Sequence, residues 1–328
     1  MRSSEDDLIA AIRKVAGAGP GVLVGIGDDA AVVETGPGSV VLTTDVLVEG
    51  VHFSLPSISA RDLGYKAVVV NVSDIAAMAA SPRYALVSLS LPSQAEESWV
   101  IELYGGMKTA CDEYALSLVG GDLNRSGELS IAVTIAGEVA PGRAVLRSGA
   151  VMGHRIVVTG ALGASAGGLV VERSGDPSAI ASEWGRGLVA AHQRPVARVG
   201  EARTLAAAGA SAMMDVSDGL ALDLSRMCAE SGVGARLETD ALPVSPWLAQ
   251  AAGALDLDPL RLALTGGEDY ELLATLPGSS VKEAAATLRE RFGVALTDVG
   301  EITAAGMMAV GADGTETPLV AEGWDHFA

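Results

Sequence analysis

Aspartates recur at positions in this chain where a folded protein rarely places a charge. The stretch VGIGDDAAVV carries Asp28 and Asp29 inside an otherwise apolar run. An isolated carboxylate in apolar surroundings is destabilising unless it is paired, hydrogen-bonded or protonated. Further aspartates follow or interrupt apolar segments in the same way, and they are Asp45, Asp74, Asp122, Asp215 and Asp218.

Any one of these aspartates has a simple structural interpretation. Asp218, for example, is placed to cap a helix that starts at Gly219. The whole set is harder to explain in this way, because the chain has few lysines to pair with it (Lys14, Lys66, Lys108 and Lys282). An external counter-charge is therefore expected. Hard divalent cations with oxygen ligands supply one, and Mg²⁺ commonly binds together with phosphates. Thr43 and Thr44 add hydroxyl or carbonyl oxygens beside Asp45.

Composition narrows the classes of protein that this chain can represent. It has 328 residues and a formal net charge of −19, which repels nucleic acid, so no nucleic-acid partner is expected. The longest uncharged stretch, 156–171, is shorter than the ~20 apolar residues of a membrane helix and is broken by glycines, so no membrane partner is expected. The acidic N-terminus does not resemble a signal peptide. Cys111 and Cys228 have no spacing motif and are interpreted as reduced packing residues of a cytoplasmic protein.

Other known ways of handling phosphate find no support in the sequence. It contains neither a GxxxxGK[ST] loop nor the HRD and DFG motifs of protein kinases, and HExxH, GxSxG and paired cysteines are also missing. The glycine-rich stretch GALGASAGG follows a strand-like segment and would seat an anion at a helix N-terminus, but as a lone motif it is a weak signal.

Both halves of the chain mix helical and strand patterns. Capping boxes predict helices from Ser3, Ser59 and Ser93, and the second of these is preferred over a strand despite its run of valines. Residues 141–153 have a loop-like sequence, so we predict a domain boundary after residue 148. In the second half, we predict elements that hold two of the aspartate motifs: a strand over 211–216, a helix over 219–231 and a strand over 270–276.

Eight short motifs occur in order along the chain: GIGDDAAVV, TTDVLVEGVHF, GYKAVVVNVSDIAAM, GGDLNRSG, RSGA, TGALGASAGGL, MDVSDGL and TGGEDYEL. Together they resemble the thiamine-monophosphate kinase family, which belongs to the superfamily of aminoimidazole ribonucleotide synthetase. The resemblance runs from near residue 20 to the closing GWDHF, almost the whole chain.

The resemblance implies both a fold and an activity. The fold is a two-domain α/β (α+β) architecture of the aminoimidazole ribonucleotide synthetase-like type. Residues 1–148 form an ATP- and Mg²⁺-binding domain, whose mixed or antiparallel sheet pairs across a dimer two-fold axis. Residues 149–328 form a C-terminal α/β sandwich. The implied activity is phosphorylation of thiamine monophosphate by ATP, the last step of thiamine diphosphate biosynthesis, in a homodimer that binds several Mg²⁺ ions and holds the ATP phosphates between its domains.

The resemblance also implies roles for individual residues. Metal ligands fall on Asp29, Thr43, Thr44, Asp45, Asp74, Asp122, Asp215 and Asp218, with Asp28 behind Asp29. The catalytic aspartates among them are Asp45, Asp74, Asp122 and Asp215. Nucleotide contacts fall on Tyr104, Gly121, Asp122, Arg147 and Ser217. Substrate contacts fall on His52, Glu268 and a C-terminal aromatic residue, Trp324 or Phe327.

Each of these residues also has a structural interpretation. His52 fits a half-buried histidine, Tyr104 a core residue, Arg147 a surface residue, Glu268 a turn and the C-terminal aromatic residue a chain-end anchor. His192 is interpreted as a structural residue at a helix end. Two other functions remain open at this stage. One is another ATP-dependent enzyme of the superfamily, of the purine-synthesis ring-closure type, and the other is a non-catalytic protein that binds divalent cations. The absence of an early reactive cysteine and of a terminal cysteine argues against selenophosphate synthesis and hydrogenase maturation.

Overall fold

The computed structural model describes residues 5–17, 19–20, 22–24, 32–33 and 39–324. The chain divides into two compact units. The first comprises residues up to Ile75 together with Ala80–Gly142, and the second comprises Ala76–Ala79 together with the residues from Arg143 onward. The change between the units after Gly142 falls inside the 141–153 stretch whose loop-like texture suggested a boundary. The functional roles assigned to residues 1–148 and 149–328 stay a prediction.

The first part of the chain combines helices with a mixed sheet. Within the described residues the larger sheet has four strands in the order β3-β6-β4-β5, and β1 and β2 form a separate pair. β4 and β5 are parallel, and the other neighbours in the larger sheet are antiparallel. The elements are α1 (Glu5–Ala16), β1 (Val22–Val24), β2 (Val32–Val33), β3 (Ser39–Val48), α2 (Ala60–Ala77), β4 (Ser81–Leu91), α3 (Glu97–Glu113), β5 (Ser117–Arg125) and β6 (Ser130–Val139).

Helix α2 forms where the sequence predicted a helix rather than a strand. Its capping box is present, because the Asp62 backbone N–H donates to Ser59 Oγ at 3.0 Å and the Ser59 hydroxyl donates to the Asp62 carboxylate at 2.7 Å. The valine run does not make a strand because the helix is buried along this stretch, with Val68, Val69 and Val72 fully inaccessible. The capping box predicted at Ser93 is wrong: α3 starts later, at Glu97, and the Ser93 hydroxyl bonds to Gln94.

The second unit is built on a larger sheet. Its described part contains seven strands in the order β13-β12-β9-β11-β7-β10-β8, all antiparallel to their neighbours except β12 beside β9. Its elements are β7 (Arg155–Thr159), α4 (Ala164–Ser174), α5 (Pro177–Ala181), α6 (Glu183–Gln193), α7 (Val199–Ala207), β8 (Ala212–Asp215), α8 (Leu220–Ser231), β9 (Gly234–Glu238), α9 (Pro246–Leu255), α10 (Pro259–Thr265), β10 (Leu272–Leu276), α11 (Gly278–Phe292), β11 (Leu296–Thr303), β12 (Met307–Val310) and β13 (Glu316–Pro318).

The strand predicted over 270–276 starts later than expected. Glu268 and Tyr270 adopt positive φ angles of 64° and 52°, in the left-handed region that side chains rarely occupy. This backbone cannot continue a strand, so β10 begins only at Leu272. The residues before it form a tight loop, and that loop carries the GGEDY motif.

Both cysteines behave as the sequence predicted. Cys111 and Cys228 are buried free thiols, and burial raises their pKa to about 12 and about 11. Among the residues that the structure describes, no helix is both long and apolar enough to cross a membrane.

Candidate active site

Three of the predicted site residues of the first unit lie on facing elements. Thr43 and Asp45 are two residues apart on β3, so their side chains share the face of the sheet that also carries the buried Val41. Asp74 lies on α2. The Thr43 hydroxyl donates to Asp74 Oδ2 at 2.6 Å. The fold therefore brings a hydroxyl and a carboxylate of the predicted metal-ligand set into direct contact.

Thr44 points to the opposite face of the sheet, because successive side chains of a strand alternate. Its hydroxyl donates to the Val133 carbonyl at 3.2 Å and accepts from the Thr134 hydroxyl at 3.0 Å. The Thr44 side chain is therefore not brought together with the Thr43 and Asp74 pair. Metal binding by its hydroxyl stays a prediction from the family resemblance.

Asp122 lies on β5, the edge strand opposite β3. It is level with Ser88 on β4, and both side chains are exposed. Since β6 and β4 separate the two edges, Asp122 and Asp45 are roughly 14 Å apart at ~4.8 Å per strand spacing. The first unit by itself therefore does not place Asp122 beside Asp45.

Gly121, a predicted nucleotide contact, has a structural role in the sheet. A Cβ atom at this position would lie 1.8 Å from the Val87 carbonyl oxygen on the neighbouring strand. Gly121→Ala is therefore expected to cost about 1–3 kcal/mol of unfolding free energy through overpacking, measured by urea denaturation. Gly127→Ala is the matched control, because a Cβ there meets nothing within 4 Å. Equal stability of the two variants would contradict the steric explanation.

The other two predicted site residues of the first unit differ in burial. His52 is partly exposed, and its Nδ1 accepts the Val48 backbone N–H at 3.0 Å. In the neutral ring this bond places the hydrogen on Nε2, so that nitrogen is the donor. Tyr104 is one of the buried residues of α3 and is only 4% exposed. Burial raises the pKa of its hydroxyl above the ordinary value. The core-packing interpretation of Tyr104 thus describes its surroundings.

Several predicted site residues of the second unit meet at one turn, the segment 215–219 between β8 and α8. Asp215 ends β8 and is 1% exposed. The Glu268 backbone N–H donates to the Ser217 carbonyl at 2.7 Å, and the Trp324 backbone N–H donates to the Asp218 carbonyl at 2.9 Å. Residues predicted to bind nucleotide, metal and substrate are therefore joined by backbone hydrogen bonds across three separate chain segments.

Asp223 organises this turn, and sequence reasoning missed it although it lies three residues after the MDVSDGL motif. Its fully buried carboxylate accepts the backbone N–H groups of residues 217, 218 and 219 through Oδ2, at 3.0 to 3.2 Å. Burial raises its pKa to about 6, while the N–H donors and Arg226 oppose that shift. A short-range signal was available: an acidic residue in the first turn of a helix that follows a loop.

The structural alternative for Asp218, a cap of helix α8, is wrong. The residue before α8 is Gly219, and it has no side-chain cap. The Asp218 carboxylate instead pairs with the Arg226 guanidinium, which also contacts Asp223 Oδ1 at 3.0 Å. Asp218 thus carries a cationic partner within its own unit, and Asp223 takes the role of cap.

The TGGEDYEL motif divides its three acidic residues among three tasks. Glu268 lies at the surface of the turn, with a quarter of its side chain exposed. Asp269 accepts the backbone N–H groups of Gly163 at 2.6 Å and Ser165 at 3.2 Å, at the N-terminus of α4. Burial raises the pKa of Asp269 to about 7. Glu271 forms a buried ion pair with Arg198.

The anion-binding position predicted at GALGASAGG is therefore filled by a side chain of this protein. The backbone donors at the start of α4 already bind the Asp269 carboxylate, which lies more than a hundred positions along the chain. The sequence predicted the correct local chemistry, an anion at a helix N-terminus, but the anion is a side chain.

Arg147 lies away from the turn within the second unit. Its side chain is exposed, and its carbonyl accepts the hydroxyl of Ser231, the last residue of α8. The turn that carries Asp218 precedes the first residue of the same helix. A helix of 12 residues spans about 18 Å, so Arg147 and Asp218 are attached to opposite ends of α8.

The predicted residues Asp28, Asp29 and Phe327 lie outside the described residues. Within the described part of the chain, no group of three or more His, Cys, Asp or Glu side chains forms a metal site. Mg²⁺ does not require such a group, because it is often bound by one or two carboxylates, with waters and substrate phosphates as the other ligands. The donors present, above all the Thr43 hydroxyl and the Asp74 carboxylate, are hard oxygen atoms and fit that pattern.

Comparisons with known proteins agree with the resemblance. The family model described as AIR synthase related protein, N-terminal domain, matches residues 27–139, and its C-terminal counterpart matches residues 152–313. The chain is 37% identical over 308 residues to the thiamine-monophosphate kinase of Aquifex aeolicus, covering 92% of each chain.

Two solved structures are similar in fold as well as in sequence. The thiamine-monophosphate kinase from Stenotrophomonas maltophilia K279a has a TM-score of 0.84 and 37% identity, over 96% of this chain and 98% of that one. AaThiL complexed with AMPPCP and TMP has a TM-score of 0.79 and 36% identity, over 100% and 99%. The predicted two-domain fold is confirmed, and the chain belongs to the thiamine-monophosphate kinase family of AIR synthase related proteins.

Proposed function

We propose that this chain transfers the γ-phosphoryl group of ATP to thiamine monophosphate, giving thiamine diphosphate and ADP as the last step of thiamine diphosphate biosynthesis. The observation that carries the proposal is the meeting of Ser217, Asp218, Glu268 and Trp324 at one turn. They meet in a chain that is 36% identical, over its full length, to AaThiL complexed with AMPPCP and TMP. The family match also favours this activity over purine-synthesis ring closure.

The acceptor in this reaction is a phosphate oxygen. With a second pKa near 6, the phosphate of the substrate is mostly dianionic at neutral pH, so no strong general base is needed. What the reaction requires is that two polyanions be held in line. Transfer is direct, without a phosphoenzyme. Inversion of configuration at a chiral γ-phosphorus is the expected stereochemistry, and retention would contradict it.

Hydroxyl and carboxylate oxygens of the predicted ligand set would hold the metal ions. Thr43, Asp45 and Asp74 in the first unit and Asp215 and Asp218 in the second would bind Mg²⁺, together with Asp29, Thr44 and Asp122. When bound at these oxygens, Mg²⁺ would supply positive charge that offsets the phosphate charge as ADP departs. Because Asp218 pairs with Arg226, the negative charge of Asp218 is already balanced when no cation is bound. Arg147 offers the planar guanidinium that suits phosphate oxygens, and Tyr104 and Gly121 complete the proposed nucleotide contacts.

We assign contacts with the thiamine part of the substrate to His52, Glu268 and a C-terminal aromatic residue. His52, whose Nδ1 is engaged by Val48, offers Nε2–H as a donor. Glu268 accepts from the aminopyrimidine ring. An aromatic face near the thiazolium, from Trp324 or Phe327, adds a cation–π attraction of about 1–2 kcal/mol when it is desolvated.

A substrate comparison tests the proposed function. The purified chain with ATP and Mg²⁺ receives thiamine, thiamine monophosphate or a purine-pathway ribonucleotide, and ADP is measured. ADP is expected only with the monophosphate. ADP with the ribonucleotide would favour the purine-synthesis type of enzyme, and saturable binding without ADP would favour a non-catalytic binding protein.

Two buried thiols without a disulfide support a cytoplasmic location.

We further propose that the chain forms a homodimer through the outer face of its first sheet. The apolar side chains on this face are Val40, Leu42, Val46 and Leu86, which are 56, 70, 47 and 45% exposed. These side chains lie on β3 and β4, with β6 between the two strands, and exposed apolar side chains grouped on one face of a sheet are typical of a surface that packs against another protein. A second copy of this chain, paired face to face, would cover them.

Leu42→Glu is expected to dissociate this dimer, because it places a charge at the most exposed of these apolar positions. The measurement is molar mass by light scattering after size exclusion, with one chain weighing 33.1 kDa. Val320→Glu is the control, since Val320 is also exposed, at 64%, but belongs to the second unit. A wild-type mass of one chain would contradict the proposed dimer.

A further inference from the structure

We propose that His192 is a positioning residue that fixes the Glu268 carboxylate and thereby sets the affinity for the aminopyrimidine ring of the substrate. The proposal rests on the proposed function, in which Glu268 contacts that ring. His192 Nδ1 lies 3.1 Å from Glu268 Oε2. The sequence predicted only a structural role for this histidine at the end of α6.

Burial separates the two members of this pair. The His192 side chain is 7% exposed, and the Glu268 side chain is 25% exposed. Ser165, 2% exposed, places its hydroxyl 3.0 Å from the same Nδ1 atom. The buried His192 ring therefore contacts one side of the Glu268 carboxylate. Another part of the Glu268 side chain is exposed to solvent.

The backbone around Glu268 is already fixed. Its φ angle of 64° lies in the strained left-handed region, and its N–H is bound to the Ser217 carbonyl. The preceding Gly267 has no room for a side chain, because a Cβ there would lie 2.5 Å from the same carbonyl. Asp269 anchors the other side on α4. With the main chain held, the side-chain rotamer is the remaining freedom, and His192 restricts it.

The chemistry of the pair indicates what Glu268 binds. An ionised carboxylate only accepts hydrogen bonds, so its contact with Nδ1 is favourable when that nitrogen carries a hydrogen. The solvent-facing part of the carboxylate is then directed at a ligand with N–H donors. The exocyclic amine of an aminopyrimidine is such a donor; the phosphates of ATP are acceptors, and because its adenine also carries an amine donor, the proposed assignment of Glu268 to the thiamine substrate is what separates the two. The effect of His192 should therefore be confined to the thiamine substrate.

Steady-state kinetics of two substitutions test the inference. His192→Leu removes the contact and is expected to raise KM for thiamine monophosphate about tenfold or more, with kcat and KM for ATP changed less than about threefold. His192→Asn retains an N–H donor near the position of Nδ1 and is expected to recover most of the affinity. In a Glu268→Ala background, His192→Leu is expected to have little further effect, because the residue it positions is gone.

His154→Leu is the matched control, because His154 Nδ1 contacts a serine hydroxyl, Ser211 Oγ, at 2.8 Å in the same unit. It should leave KM for thiamine monophosphate unchanged. An unchanged KM in His192→Leu, or an equal rise in KM for ATP, would overturn the positioning role. If His192→Leu fails to fold, His192→Asn is measured with and without Glu268→Ala, and an equal change in KM for thiamine monophosphate in the two backgrounds would overturn the positioning role. Failure of the wild-type chain to form ADP would instead refute the proposed function.

Discussion

Replacing Asp45 by Asn is expected to lower kcat by ~10²-fold or more while the protein stays folded. Asn has almost the same shape but no charge, so a cation and the phosphates around it lose one compensating carboxylate. Asp45 lies on the partly exposed inner face of β3, two residues from the Thr43 and Asp74 contact. The measurement is steady-state ADP formation at saturating ATP, Mg²⁺ and thiamine monophosphate, with thermal unfolding as the check on folding.

Asp112→Asn is the control for charge removal. Asp112 lies on α3 with two thirds of its side chain exposed, and it pairs with Lys108 on the same helix. Such surface pairs contribute little, so both activity and stability should be close to wild type. Full activity of Asp45→Asn would refute the assignment of Asp45 as a metal ligand and would direct attention to the second unit.

The second large effect concerns stability. Asp223→Ala is expected to cost about 3–5 kcal/mol of unfolding free energy, because it leaves three backbone N–H groups without their buried acceptor and removes one of the two carboxylates that pair with Arg226. Asp223→Asn keeps one acceptor oxygen and should lose less. The measurement is urea denaturation, and turnover should fall in parallel since the turn carries Ser217 and Asp218.

Asp313→Ala is the control that shows how much of the stability loss in Asp223→Ala is due to burial of the carboxylate. The Asp313 carboxylate also accepts a backbone N–H, from Thr315 at 2.9 Å, but it does so in an exposed turn. Its removal should have a much smaller effect than removal of Asp223, because water replaces the lost acceptor. An Asp223→Ala protein as stable as the Asp313→Ala protein would contradict the role given to Asp223.

Local patterns predicted the elements well where the deciding interactions are local. The Ser59 capping box indicated helix α2 against a valine run, because its hydrogen bonds join residues three apart. The start of β10 was predicted too early, since the positive φ angles of Glu268 and Tyr270 depend on bonds to the 215–219 turn. Their side chains carry no mark of that conformation in the sequence.

The sequence by itself determined the family, the two-part mixed architecture and the set of aspartates around which the chemistry is proposed. These follow from residue types in short, ordered motifs. Only the tertiary structure decided which carboxylates are directed outward and which hold the protein together. Thr43 meets Asp74 across 31 positions and Gly163 meets Asp269 across 106. Such contacts depend on how the strands and helices pack, so the supporting roles of Asp223, Asp269 and His192 became visible only in three dimensions.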